Sequence, residues 1–231
     1  MNLAIVGYGK MGRLIEALAP GYGFEVKLRL NRANNAAYEA LTKDKLAGID
    51  AAVEFSNAQA APENIARLAR AGVATVAGTT GWFDRLPSVR GAVEGAGSGL
   101  VWSPNFSVGV QVFAQIVSEA ARLLANEADY GAWAWEIHHA AKKDAPSGTL
   151  LALAARMKAS GYERAINTSS SRAGSHPGTH EIGFDSPADT ITLRHVARSR
   201  EGFARGALRA ARWVGGKKGV FDFREIIGEL D

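Results

Sequence analysis

Cysteine is absent from all 231 residues. That removes disulfides, thiolate metal ligands and thiol catalysis together, and it is compatible with a reducing cytoplasm. No apolar run approaches the ~20 residues that a bilayer-spanning helix needs. The opening stretch Met1-Asn2-Leu3-Ala4-Ile5-Val6-Gly7 reaches a glycine too early to hold a secretory apolar region. Internal repeats and low-complexity tracts are also missing. With 47% apolar and 22% charged residues, the composition is that of an ordinary globular chain. The expectation is a soluble, cytoplasmic protein of one compact unit or two small domains, with no membrane partner.

A strong charge of one sign is lacking too. The net charge of +4 comes from 27 Lys and Arg against 23 Asp and Glu. Several of the extra cations fall in the last third, from Arg194 to Lys218, but Glu201, Phe203 and Trp213 interrupt them at helix-like spacing. No continuous basic run forms, so a nucleic-acid surface is not expected. Mild basicity suits an enzyme that handles phosphates and carboxylates.

Among what is present, the first thirty residues carry a dinucleotide signal. Leu3-Ala4-Ile5-Val6 reads as a buried parallel strand, and 11–19 is apolar at helical spacing. Between them stands Gly7-Tyr8-Gly9-Lys10-Met11-Gly12, a Gly-x-Gly-x-x-Gly turn in the strand-to-helix setting it requires. The first glycine permits the tight turn and the second lets backbone approach a pyrophosphate. The third lets the helix lie close to the strand. The second strand, 24–30, ends in Asn31 and Arg32 rather than in an acid. Asn31 can bond ribose hydroxyls without repelling a phosphate and Arg32 can pair with a 2′-phosphate, so NADPH is favoured over NADH.

Strand and helix patterns continue to alternate: strands over 51–55, 73–76 and 100–102, with a helix over 62–71. Alternation of this kind means a doubly wound parallel sheet, which takes ligands beyond the carboxyl ends of its strands. The loops there are Phe55-Ser56-Asn57, Gly78-Thr79-Thr80-Gly81 and Ser103-Pro104-Asn105-Phe106-Ser107, each of which, taken singly, reads equally well as a plain turn or cap. After a helix over 108–124 the character changes. A strand over 133–137, a helix over 149–160, a long loop over 162–180 and a hairpin of 181–184 with 190–196 suggest a second sheet. A helix over 203–214 and a short strand over 219–223 finish the pattern. The expected fold is α/β: an N-terminal Rossmann-type doubly wound parallel sheet (1–106 and 208–231) binding dinucleotide, and a C-terminal α+β domain with an open mixed sheet (107–207) for substrate and oligomerisation.

Residues 136–149, Glu-Ile-His-His-Ala-Ala-Lys-Lys-Asp-Ala-Pro-Ser-Gly-Thr, hold the densest chemistry. Histidine exchanges protons near neutral pH, lysine supplies fixed positive charge, and Asp144, Pro146 and Ser147 are residues that stop one element and start a helix. In a continuous strand His138 and His139 would face opposite ways, so the favoured reading ends the strand near Ile137 and turns both rings to one site. Zinc held by His138, His139, His176, His180 and His195 is the rival reading. It is set aside because Pro177 and Gly178 forbid the helix that would align His176 with His180, and no cysteine assists.

The 136–149 segment resembles the signature of the 4-hydroxy-tetrahydrodipicolinate (dihydrodipicolinate) reductases of bacterial lysine and diaminopimelate biosynthesis. The resemblance extends to the 7–12 loop, Gly78-Thr79-Thr80-Gly81, Asn105-Phe106-Ser107-Val108-Gly109-Val110, Arg172-Ala173-Gly174 with Gly178-Thr179-His180, and Gly219-Val220-Phe221-Asp222-Phe223. It departs at Asn31, where the family commonly has an acid, and the chain is short for the family. The resemblance implies reduction of a cyclic dicarboxylate imine by NADPH or NADH, with loss of water and without a metal. It places His138 and Lys142 as proton-exchanging residues, and His139 with Ser147, Gly148 and Thr149 on the substrate. Cofactor contacts would come from Gly7, Tyr8, Gly9, Lys10, Met11, Gly12, Asn31, Arg32, Phe55, Gly78, Thr79, Thr80, Ser103, Pro104, Asn105 and Phe106. It further implies a homotetramer paired through the second sheet.

Chemically the parts suit such a reaction. Hydride addition to a conjugated imine builds electron density that an acid must meet, while cations offset two carboxylates. A helix starting near Ser147, with Pro146 in its first turn, would offer free N–H groups to one carboxylate. Another imine or amino-acid dehydrogenase, or a nucleotide-sensing module, would also keep the 7–12 loop. A sensor has no need for His138, Lys142 and Ser147 together.

Overall fold

Strand β1 (Asn2–Val6) is buried on both sides because successive side chains point to opposite faces: Leu3 and Ile5 enter one apolar cluster, Ala4 and Val6 another. The computed structural model describes residues 1–230. After β1 come α1 (Lys10–Leu18), β2 (Glu25–Leu30), β3 (Ala51–Glu54), α2 (Ala61–Arg70), β4 (Ala74–Ala77), α3 (Leu86–Gly95) and β5 (Gly99–Trp102). Next are α4 (Val108–Leu123), β6 (Gly131–His138), α5 (Gly148–Ala159), β7 (Ile166–Arg172), β8 (Thr179–Asp185) and β9 (Thr190–Val196). Helix α6 (Glu201–Val214), β10 (Gly219–Asp222) and the single turn α7 (Phe223–Ile226) follow. Residues 109–200 form one compact unit, and the segments up to 108 and from 201 form the other.

In the first unit six strands pair in parallel in the order β10-β5-β4-β3-β1-β2. Helices α1 and α6 cover one face, where Ile15, Ala207, Leu208 and Ala211 meet Leu3, Val53, Val76 and Val101. Helices α2 and α3 cover the other, setting Ile65, Val89 and Val93 against Ala77, Leu100 and Val220. The sheet is therefore doubly wound, as the alternation predicts. Close approach of α6 requires Gly206, where a Cβ would stand 1.8 Å from the carbonyl oxygen of Phe106. Between β2 and β3 the chain forms turns with no regular element, and Leu41 and Leu46 plug the edge of the core beside Ala4 and Leu30.

The second unit is a mixed sheet in the order β7-β6-β8-β9, with β6 and β7 parallel and the other pairs antiparallel. Helices α4 and α5 cover one face through Phe113, Val117, Leu150, Leu153 and Met157, packed on Ala132, Ala134, Ile182 and Phe184.

Several local expectations need correcting. The stretch 162–180 is not a continuous loop, because it contains β7. The sequence of β7, Ile-Asn-Thr-Ser-Ser-Ser-Arg, lacks apolar alternation because it is an edge strand with little to bury. Helix α3 is an addition, resting on Val89 and Val93 one turn apart. Pro146 lies before the cap of α5, not in its first turn, because Ser147 is the N-cap residue. Strand β6 runs one residue past its expected end, through His138. Among the described residues no helix is long and apolar enough to cross a membrane.

Candidate active site

In the first unit, the turn after β1 is shaped by contacts that exclude side chains. Gly7 has φ +100°, and a Cβ there would lie 2.1 Å from the Phe55 carbonyl oxygen; a Cβ on Gly12 would lie 2.5 Å from the Gly7 carbonyl oxygen. The amides of Gly7 and Tyr8 both donate to the Leu30 carbonyl at 2.9 Å, which binds the turn to the end of β2. Gly9 caps α1 without a side-chain acceptor, and no acid stands in the first helical turn. The free N–H groups of that turn therefore face no protein carboxylate, which is the condition for holding an anion. Lys10 is exposed and Met11 half-buried at the same helix start.

A cavity of about 760 Å³ opens beside this turn. Its lining brings together Gly7, Tyr8, Gly9, Asn31, Arg32 and Phe55 with Asn35, Tyr38, Gln59 and Asn64. The latter four had no part in the sequence reading; Asn35 and Tyr38 come from the irregular 31–50 segment, whose spacing carries no periodic signal. At its rim the Asn31 side-chain oxygen accepts from the amides of Ala33 (2.8 Å) and Asn34 (3.3 Å), forming a turn. Arg29 is tied to Glu16, which also accepts from the Tyr8 hydroxyl. Arg32 is exposed and makes no ion pair among the described residues.

Gly78 and Thr79 adjoin this cavity without lining it. A Cβ on Gly78 would sit 2.2 Å from the Phe55 ring, and the Thr79 hydroxyl accepts from the Ser56 amide at 2.8 Å. Thr80 is exposed. Ser103 and Asn105 bond within their own loop, with the Ser103 hydroxyl donating to the Asn105 carbonyl at 2.9 Å, and Pro104 is exposed. The ring of Phe106 is occupied in the core, 4.7 Å from that of Phe223, so backbone is what this position presents. Lys10, Met11, Gly12, Gly78, Thr79, Thr80 and residues 103–106 are thus outside the cavity lining.

In the second unit the chemistry centres on a carboxylate that the sequence reading passed over. Glu136 is fully buried, on the same face of β6 as His138. Its Oε1 accepts from the Ser147 amide (2.8 Å), the Ser170 hydroxyl (2.8 Å) and the Arg172 guanidinium (2.9 Å). Its Oε2 lies 2.5 Å from His138 Nδ1 and 3.9 Å from His180 Nε2. The His138 contact is an ion-pair approach rather than an aligned hydrogen bond, and Oε2 and Nδ1 are both buried with no other hydrogen-bond partner. Burial alone would push the Glu136 carboxyl up, but Arg172, Ser147 and Ser170 more than reverse it, to about 2. Burial lowers His138 against the opposing pull of Glu136, and burial with neighbouring His138 pushes His180 down to about 4.

Glu136, His138 and His180 bring three possible ligand atoms within 4.8 Å of one another. The sequence offered five histidines instead; only His138 and His180 of those five belong to this cluster, and Glu136 was not among them. One oxygen of Glu136 is already saturated by three donors, including a guanidinium, and the other is against His138, which leaves the carboxylate poorly placed to take a cation as well.

Ser147 links this centre to α5. Its hydroxyl accepts from the Leu150 amide at 3.2 Å, capping the helix, and stands 3.1 Å from His180 Nε2. Gly148 is exposed and Thr149 half-buried at the helix start, with no acid in the first turn of α5 itself. Lys142 reaches Asp144, at 2.7 and 2.8 Å from its two oxygens. His139 follows the strand and is half-buried; its carbonyl accepts from the Lys142 amide at 3.0 Å. Of the residues expected here, the structure gathers His138 and Ser147 around Glu136, and places His139, Lys142, Gly148 and Thr149 along the loop and helix start beside them.

Residues 1–106 match the family profile described as "Dihydrodipicolinate reductase, N-terminus", and 109–227 match "Dihydrodipicolinate reductase, C-terminus". The chain is 33% identical to the 4-hydroxy-tetrahydrodipicolinate reductase of Christiangramia forsetii, over 100% of this chain and 99% of that one. It is 32% identical to the enzyme of that name from an Anaeromyxobacter species, over 99% and 98%. A dipicolinate-bound dihydrodipicolinate reductase from Paenisporosarcina sp. TG-14 shares the fold, with a TM-score of 0.82 at 21% identity over 98% of this chain and 99% of that one.

Proposed function

Since the chain belongs to the dihydrodipicolinate reductase family, we infer that it reduces 4-hydroxy-tetrahydrodipicolinate to tetrahydrodipicolinate, with loss of water, as a step of diaminopimelate and lysine biosynthesis. The observation that carries this reading is the family match across both units. A nicotinamide dinucleotide, when bound, supplies the hydride.

The first unit fits that dinucleotide. Gly9 is not required by packing, since a Cβ there meets nothing within 4 Å; close approach of a pyrophosphate is what calls for glycine. Residues 7–12 hold the phosphates, Asn31 and Arg32 the adenosine ribose, and Phe55, 78–80 and 103–106 the rest. NADPH is the preferred form because Arg32 is uncommitted whereas Arg29 is tied to Glu16.

The second unit binds the dicarboxylate. The amide of Gly148, which the exposed Asp144 carboxylate faces, and that of Thr149 hold one carboxylate with Ser147 at the cap, and Lys142 and His139 meet the other or the developing charge. His138, assisted by Lys142, exchanges the proton that accompanies reduction. An arriving dianion raises the proton affinity of His138, offsetting its burial. No step calls for a metal.

The same reading places the protein in the cytoplasm as a homotetramer. Supporting assembly, α4 and α5 cover only one face of the second sheet, and Val196, which points to the other face from β9, is 50% exposed. The deciding assay couples the purified protein to the preceding synthase, with aspartate semialdehyde and pyruvate, and follows oxidation of NADPH or NADH. Cofactor oxidation that depends on the synthase product is expected, and its absence with both cofactors overturns the assignment.

A further inference from the structure

Glu136 lies at the junction of three elements and has no substrate-facing atom to offer, since it is fully buried. All three donors that converge on it reach Oε1: the Ser147 amide, the Ser170 hydroxyl and Arg172. Arg172 in turn donates to the Asp144 carbonyl, so the loop that carries Lys142 is held to the same point. The other oxygen is left against a single ring nitrogen, Nδ1 of His138, at 2.5 Å. A lone pair on that nitrogen would face an anionic oxygen at this distance, and the contact would be repulsive. Only a proton on Nδ1 makes it attractive.

We propose that Glu136 is a positioning residue for proton transfer: its Oε2 keeps a proton on Nδ1 of His138, so that Nε2 is the atom that exchanges a proton with the substrate, while its Oε1 anchors the Ser147 amide where α5 begins. This rests on the assignment of His138 as the proton-exchanging residue. The far side of the ring is shaped for it: a Cβ on Gly178 would lie 2.9 Å from Nε2, so glycine there keeps that nitrogen clear. The charged and titratable groups around His138 are Glu136 on its own strand, Arg172 on β7, His180 on β8 and Lys142 in the following loop; of these, only Glu136 favours its protonated form.

The wild-type protein provides the first test. With isotope-labelled histidine, nitrogen NMR and assignment by comparison with His138→Gln, the neutral His138 ring shows its proton on Nδ1; a proton on Nε2 overturns the proposal. Glu136→Gln removes the charge and offers an amide donor that favours the wrong tautomer. It lowers kcat on the order of 10-fold to 100-fold, leaves NADPH binding unchanged, and moves the alkaline limb of the kcat profile to lower pH, because the imidazolium loses its neighbouring anion. Glu136→Asp, which keeps the charge, returns the limb toward its wild-type position. A rate that falls equally at every pH, with the limb unmoved, marks a purely structural carboxylate and overturns the proposal. If Glu136→Gln does not fold, the wild-type tautomer and the Glu136→Asp profile decide. Near-normal turnover in His138→Gln overturns the underlying role of His138 instead, a result separate from either outcome at Glu136.

Discussion

Lys142 and Asp144, two residues apart, are closed on each other, the ammonium lying 2.7 and 2.8 Å from the two carboxylate oxygens. Asp144 is well exposed, so the pair contributes at most about 1 kcal/mol, and a substrate carboxylate can take the lysine over at little cost. Lys142→Ala is expected to lower kcat/KM by on the order of 10-fold or more, through both terms. Asp144→Asn, which releases the lysine, is expected to leave kcat/KM unchanged or raise it. Steady-state kinetics on the two variants separates them, and an equal fall in both would make Asp144 part of the binding apparatus.

Replacing Arg32 tests the cofactor preference. Arg32→Ala is expected to raise KM for NADPH by on the order of 10-fold, the loss of one charge-assisted contact, and to leave KM for NADH nearly unchanged. Clearly tighter use of NADH by the unaltered protein removes the basis for the preference.

His138→Gln is expected to reduce turnover by on the order of 100-fold to 10,000-fold, the range that a positioned acid supplies, while a fluorescence titration with NADPH gives an unchanged dissociation constant.

Acid stability follows from Glu136 and His180 with the same sign. The Glu136 carboxyl is held at about 2 against an ordinary 4.5, so its contribution is fully present above pH 4.5 and is lost as pH falls toward 2. A shift of that size corresponds to about 3 kcal/mol. His180 is depressed to about 4 from 6.5, so keeping it neutral in the fold begins to cost stability as pH falls below 6.5. Melting temperature is therefore expected to decline in two stages. Glu136→Gln should flatten the lower stage and leave the upper, and a lower stage equally steep in the variant would contradict the assignment.

Gly7→Ala is expected to destabilise the first unit and abolish dinucleotide binding, because the added methyl has a backbone oxygen at 2.1 Å and φ is +100°. Denaturant melts and cofactor titration together check it.

The parallel sheet was legible in the sequence because both of its periods are local. Leu3 to Val6 is a run of four apolar residues, Gly7 to Gly12 marks the turn, and Ile15 and its neighbours repeat at helical spacing. Strand β7 was not legible, since its polar residues belong to a sheet edge and its register is set by β6, more than thirty positions earlier. The candidate site divides in the same way. His138, Lys142 and Ser147 stand out through their density in one segment. The role of Glu136 depends on Arg172, which is 36 positions away, and that of His180 on Ser147, 33 away. No local pattern encodes pairings of that range. Asn35 and Tyr38 were missed because the segment between β2 and β3 has no periodicity, although it lines the cavity.

Strand β10 completes the edge of the parallel sheet beside β5, yet all of residues 109–200 lie between the two in the chain. On a ribosome, β5 is therefore made and must wait while the entire second unit is synthesised, roughly 5 to 20 seconds at ordinary elongation rates. Through that interval the nascent first unit lacks both α6 and β10, and its apolar face around Leu3, Val53, Val76 and Val101 has only part of its cover. The order of synthesis thus makes the nucleotide-binding half, though it is begun first, the later of the two to close, and the half more in need of protection while the chain is being made.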